Sequence, residues 1–186
     1  MKTTSKLHGF TKTAVSVLFY FVFVNTASAA TKAEIDAQVK GSIAKFQEEV
    51  TGGKEFLEKA EGVLVFPDVV KAGFGIGGET GDGALLIKGE TVDYYNTSAA
   101  SIGFQIGLQF KTVVLVFLQK DALDKFRNSS GWEVGVDASV AIIELGAGVD
   151  VNTLNITDPV VGFVFSNKGL MYNLTLEGAK ITRLDK

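Results

Sequence analysis

The sequence contains no cysteine, and its single histidine, His8, falls within the first thirty residues. A chain whose remainder lacks both residue types has no Cys/His zinc site, no thiol nucleophile, no Ser-His-Asp triad and no His-ligated metal. Proline is almost as scarce: only Pro67 and Pro159 occur, so no proline-rich linker divides the chain. Positive charge is also short. Eighteen Lys and Arg face 21 Asp and Glu, a net of −3, and Lys2, Lys6 and Lys12 all precede the first acidic residue. From residue 30 onward 15 basic side chains (18 less those three) face all 21 acidic ones, a net of −6. Sequence-independent nucleic-acid binding needs phosphate neutralisation by Lys and Arg, for which a net negative domain is a poor candidate. Long apolar runs are missing too: the longest, Ala14–Val24, has 11 residues against the roughly 20 of a spanning helix.

That short run has the layout of a secretory signal peptide. Three lysines precede it, and Ala27-Ser28-Ala29 supplies small residues for cleavage after Ala29. The alternative is an uncleaved anchor. We read residues 1–29 as a signal peptide, 30–61 as a helical segment and 62–186 as a β-rich body of the same domain. Without cysteine there is neither a disulfide nor a lipobox, so an exported, periplasmic or secreted fold stands on its core alone.

What is present begins with helical spacing. Ile35, Val39, Ile43, Phe46 and Val50 recur at steps of three and four, one face of an amphipathic helix over Lys32–Val50. Its polar face mixes both signs, which fits docking on its own domain better than a basic membrane helix. Gly52-Gly53 breaks it, and Lys54–Ala60 forms a second, short helix.

After Gly62 the period changes from 3.6 to 2. Ile102, Phe104, Ile106, Leu108 and Phe110 alternate with glycine and glutamine, as in a half-buried antiparallel strand. Val113–Leu118 is solidly apolar, as in a strand buried on both faces. Further alternations run from Trp132 to Ile142 and from Leu170 to Leu176, and Val160–Phe165 and Ala179–Leu184 read as extended. Asp121–Arg127 is the one helical interruption, with Asp121 as its cap. Gly78-Glu79-Thr80-Gly81-Asp82-Gly83 reads as a turn. The fold class is α+β: a curled antiparallel sheet, barrel- or sandwich-like, with N-terminal amphipathic helices and one short internal helix. A transmembrane barrel fits less well, because the solid run at Val113–Leu118 would put apolar side chains into a watery lumen.

Candidate chemistry is thin. Gly73-Phe74-Gly75-Ile76-Gly77-Gly78 matches GxGxxG, but a strand rather than a helix follows it, with Glu79 and Asp82 where a phosphate would sit. The glycines read instead as close backbone approach, and no nucleotide or other cofactor is implied. The carboxylate pairs Asp121/Asp124 and Glu133/Asp137 would have to flank a cleft to serve a glycosidase, which spacing alone does not place, and they read as surface carboxylates. Glu144, between Ile143 and Leu145, reads as a strand end facing solvent. No catalytic residues or metal ligands are assigned, and the reading is non-enzymatic. Lys71, in VFPDVVKAGFGIGG, and Lys168, in VFSNKGLMY, lie beside glycines and aromatics. Such lysines place an ammonium on a lipid phosphate while neighbouring rings enter the acyl boundary, or else are simply solvated.

The run AEGVLVFPDVVKAGFGIGGETGDGALL, followed in order by SIGFQIGLQ, DALDKF, VGVDASVA and FSNKGLMYNLTLEGAKI, resembles the SYLF domain family from about Ala33 to Leu184. The resemblance implies an exported bacterial member that binds phospholipid at a membrane surface. Eukaryotic relatives bind phosphoinositides, and some bind and bundle actin, which an exported bacterial protein does not meet. Carried over by position, Lys71 and Lys168 match the family's basic positions, and Phe74, Phe104 and Leu170 its apolar ones. Two segments depart from the pattern. Asp93-Tyr94-Tyr95-Asn96-Thr97-Ser98 stands where the family usually has Trp-Ser-x-Pro. Ile143-Glu144-Leu145-Gly146-Ala147 replaces Gly-Pro-x-Gly-Arg, so a carboxylate stands where an arginine was available for phosphate. These residues together predict a lipid-binding module held by apolar contact and seconded by lysines, the alternative being a structural or protein-interaction component of the cell envelope.

Overall fold

The computed structural model describes residues 30–144, 150–153, 156–166, 176 and 178–186, without the side chains at 74–76, 101–108, 144, 153 and 166. The segment read as a signal peptide lies outside these residues, as do Lys168 and Leu170.

Helix α1 spans Lys32–Glu49 and α2 spans Gly53–Glu58. Thr31 caps α1: its hydroxyl accepts from the Glu34 amide, while the Glu34 carboxylate accepts from the Thr31 amide at 2.7 Å. This Thr-x-x-Glu box satisfies two otherwise unpaired donors of the first turn. The hydrogen bond from the Thr31 backbone holds the Glu34 carboxyl below its ordinary value.

The body is dominated by one hairpin. Strand β1 (Gly62–Ile87) and strand β2 (Glu90–Phe117) pair antiparallel from Gly62↔Phe117 to Ile87↔Glu90. Lys88 and Gly89 make the two-residue turn, both at positive φ (52° and 83°). That is the turn type whose twist matches the strands it joins. The turn expected at Gly78–Gly83 is therefore strand, and the glycines there serve contact instead. A Cβ on Gly83 would run into the Val65 carbonyl, and one on Gly81 would meet the Asp68 carbonyl at 2.8 Å. The second half of β1 crosses directly over its first half. Register shifts at Phe66/Val69 and Gly73/Gly75 supply the bends. Pro67 sits in the first of them, where no ladder amide is required.

Helix α3 covers Lys120–Asn128. Asp121 lies in its first turn but is not its cap; that position is Gln119, without a side-chain hydrogen bond. The alternation from Trp132 to Ile142 is not one strand. It breaks at a turn over 135–137 into β3 (Trp132–Glu133) and β4 (Val140–Glu144), leaving Val136 exposed. Strands β5 (Val160–Ser166) and β6 (Lys180–Leu184) fall where expected.

The sheet order is β3-β6-β2-β5-β4, with β1 on β2. Its ladders are antiparallel except one. β4 and β5 pair in parallel, from Val140↔Val160 to Glu144↔Val164. The curled α+β architecture read from the sequence is the one observed, with this mixed edge added.

Val113–Phe117 is buried on both faces, as its composition predicts. On one face Val114, Val116, Val161 and Phe163 meet Ile35, Val39, Phe46 and Val50 of the α1 segment. Phe46 and Phe56 both approach Phe163 edge-on, at 4.9 and 5.7 Å. On the other face Leu64, Phe66, Val113, Leu115 and Phe117 meet Leu123, Phe126 and Trp132. Each fully buried side chain of this kind contributes about 1.5–3 kcal/mol. Asp36 fixes α1 against the hairpin by accepting from Thr91 at 3.0 Å and Tyr94 at 2.9 Å. No helix among the described residues is long and apolar enough to cross a membrane.

If α1 is part of the core, Phe46→Ala lowers the unfolding free energy by about 3–5 kcal/mol. Chemical denaturation should show this, whereas Lys40→Ala on the exposed face should stay within about 0.5 kcal/mol of the parent.

Candidate functional site

Of the site residues read from the sequence, Lys71, Phe74 and Phe104 lie along the middle of the β1–β2 hairpin, and Lys168 and Leu170 lie outside the described residues. Gly73 pairs with Gly107, Gly75 with Gly103 and Ile76 with Ile102. Phe74 and Phe104 therefore lie on adjacent strands of one elbow. Further along β2, β6 pairs with residues 94–98 and β5 with residues 111–117. Among the described residues, 99–110 pair with β1 alone.

Lys71 stands at the root of this elbow, opposite Gln109, in the middle of a strand rather than at its end. Its side chain is 31% exposed and lies 3.3 Å from the Glu79 carboxylate. The same carboxylate pairs with Lys111, which is only 4% exposed. Glu79 comes from the returning half of β1, and Lys71 and Lys111 from the outgoing ladder, so this triad ties the two layers of the bend. Lys71 thus has an internal partner, yet keeps donors on its exposed side, and the three side chains sum to +1. Sequence reasoning missed Lys111. The cost of a charge beside the apolar run Val113–Phe117, the argument applied to Glu144, was the signal available for it.

A second shared carboxylate lies further along β2. Asp93 is 5% exposed and pairs through one oxygen with Arg127 of α3, at 3.3 Å, and through the other with Arg183 of β6. The two arginine side chains are 40% and 56% exposed. Tyr95 is buried alongside, its ring 4.8 Å from Phe126, and its hydroxyl has no hydrogen-bond partner among the described residues. Burial first, and the Asp93 charge second, push the Tyr95 phenol above its ordinary pKa, so it keeps its proton. An unsatisfied buried hydroxyl costs about 1–3 kcal/mol. Asp93 was noted in the sequence only as a departure from a motif, because its partners lie 34 and 90 positions away.

The paired carboxylates have structural roles. Asp124 takes Lys120 at 2.5 Å on the open face of α3, and Asp137 accepts the Glu133 amide at 2.6 Å. Glu144 is the last residue of β4. No group of three or more potential metal ligands clusters among the described residues.

Comparison with known proteins agrees with the resemblance read from the motifs. Residues 98–186 match the Ysc84 family profile, described as "Las17-binding protein actin regulator". The SH3 domain-containing YSC84-like protein 1 of Rattus norvegicus is 27% identical over 128 residues, 66% of this chain and 37% of that protein. Its Homo sapiens counterpart is 25% identical over the same length and shares, and that of Xenopus laevis 26%, covering 38% of its length. The chain thus spans well under half the length of the curated relatives it matches.

The Glu79 triad makes a stability prediction. Glu79→Gln, which removes the charge facing buried Lys111, should cost about 3 kcal/mol in denaturant titrations. Lys71→Gln, at the exposed end, should cost under about 1 kcal/mol. Equal losses would contradict a bend held chiefly through Lys111. Residues 98–186 thus carry a match to the Ysc84 (SYLF) domain, and the relatives that the chain resembles are YSC84-like proteins.

Proposed function

We propose that this chain is an exported, non-enzymatic phospholipid-binding module that acts at or near a membrane surface. Its contact is the apolar elbow of the hairpin, seconded by a few lysines. Phe74 and Phe104 enter the acyl boundary, joined by Leu170, and Lys71 and Lys168 meet headgroup phosphates. The observation that supports the reading is the elbow itself: the hairpin segments 72–76 and 102–108, rich in apolar residues by sequence, are paired at Ala72↔Leu108, Gly73↔Gly107, Gly75↔Gly103 and Ile76↔Ile102, next to a partly exposed lysine. Residues 1–29 supply the export signal, and delivery is to the periplasm or the exterior.

Charge alone does not drive such binding. A domain of net −6 is repelled by an anionic surface, while each lysine near one contributes only about 1 kcal/mol. A buried Phe side chain is worth about 1.5–3 kcal/mol, or at least about tenfold in affinity.

A second reading is a protein-interaction role in the cell envelope. The family's description as an actin regulator favours a protein partner. Capture of the same partner from envelope extract with and without detergent would support it.

Flotation on phosphatidylcholine vesicles, with and without anionic lipid and at low and high salt, tests the leading reading. Binding is expected to fall less than about threefold between the salts and at least about tenfold in Phe74→Asp or Phe104→Asp. Absence of flotation with every composition, or binding abolished by salt alone, would overturn it.

A further inference from the structure

Away from the elbow, the Asp93 cluster holds two cations in a way that a purely structural lock does not require. Arg127 reaches it from the last turn of α3 and Arg183 from β6, and each spends one nitrogen on a different oxygen of the same carboxylate. Sharing one carboxylate sets both guanidinium groups against the same side chain. A guanidinium has five N–H donors, so most remain unspent on Asp93, and both side chains are substantially open to solvent. The three groups sum to +1.

Tyr95 provides the independent sign. It lies two residues along β2 from Asp93, opposite Arg183 in the β2–β6 ladder, and all three charges act on its phenol. Its covered hydroxyl stays protonated and finds no acceptor among the described residues. Buried polar groups without a partner are rare, and an absent ion or water is one of the standard reasons for them.

We propose that Arg127 and Arg183, set side by side by buried Asp93, form a binding site for a phosphate monoester, either free or carried on a lipid headgroup. Near neutral pH a phosphate monoester carries roughly −1.5 to −2 charges and three strong acceptor oxygens. The two forks match those oxygens bidentately, which a pair of lysines would not. The site is distinct from the elbow, and neither needs the other.

The test is titration of the 15N-labelled protein with inorganic phosphate, ionic strength being held constant with chloride. Saturable shifts are expected at residues 93–97, 127–129 and 181–185. Arg127→Gln should raise the dissociation constant by about fivefold or more. Arg183→Lys, which keeps the charge opposite Asp93 but loses the fork, should also weaken binding, and it guards against misreading a folding defect. Shifts that never saturate, that spread over the surface lysines, or that are unchanged in both variants would show an adventitious ion only and overturn the site.

A vesicle arm separates the two sources. If the headgroup is the ligand, phosphatidic acid in phosphatidylcholine vesicles enhances flotation of the parent more than of Arg127→Gln. If free phosphate is the ligand, flotation is equal for the two proteins while the phosphate shifts persist. A silent phosphate titration with normal flotation sinks this site and leaves the elbow reading intact; the converse sinks the elbow alone.

Discussion

The close crossing of β1 over itself is the constraint from which the rest of the molecule follows. Gly81 and Gly83 let the returning backbone lie on the Val65 and Asp68 carbonyls, a separation no side chain allows. Once the hairpin doubles over, its base becomes a strand pair with two faces to cover. Helix α1 takes one face through Ile35, Val39, Phe46 and Val50. Helix α3 and Trp132 take the other. The elbow between the halves is then the part of the hairpin that β5 and β6, as described, do not flank.

Charge is handled by the same economy in two places. Glu79 is shared by Lys71 and Lys111, and Asp93 by Arg127 and Arg183. In each case one largely buried carboxylate holds two cations, at least one of them partly exposed. A domain whose formal charge is −6 thus carries two local sites that each sum to +1. Net charge describes long-range repulsion from an anionic surface, whereas in the proposed readings these local sites would act on contact. Short-range apolar and phosphate contacts can therefore act in a protein that bulk electrostatics would keep away.

Much of this architecture was legible from the residues. The steps from Ile35 to Val50 gave α1, the solid run at Val113 gave a doubly buried strand, and the change of period at Gly62 gave the α+β class. The failures have physical causes. Glycine spacing at 78–83 marks close approach as readily as a turn, and only the fold tells which; the actual turn, Lys88-Gly89, is carried by a lysine in a conformation that favours glycine or asparagine. The alternation after Trp132 hid a turn because Val136 is apolar yet exposed. The Thr31–Glu34 box is a local signal that the spacing Thr-x-x-Glu carries in the sequence itself. At the candidate site, Phe74 and Phe104 fall on the two paired strands of the hairpin, and Lys71 proves to be ion-paired. Lys111, Asp93, Arg127 and Arg183 escaped notice because their pairing is long-range, and a single sequence records no such distances.

The central claim, that the hairpin elbow is the surface which meets lipid, is tested most directly by amide hydrogen exchange with and without phosphatidylcholine vesicles. The account predicts protection concentrated in residues 73–77 and 101–108, with the amides of α1 and of Val113–Phe117 unchanged. Protection confined to α1, or to the exposed faces of α3 and β4, with the elbow exchanging at its free rate, would contradict it.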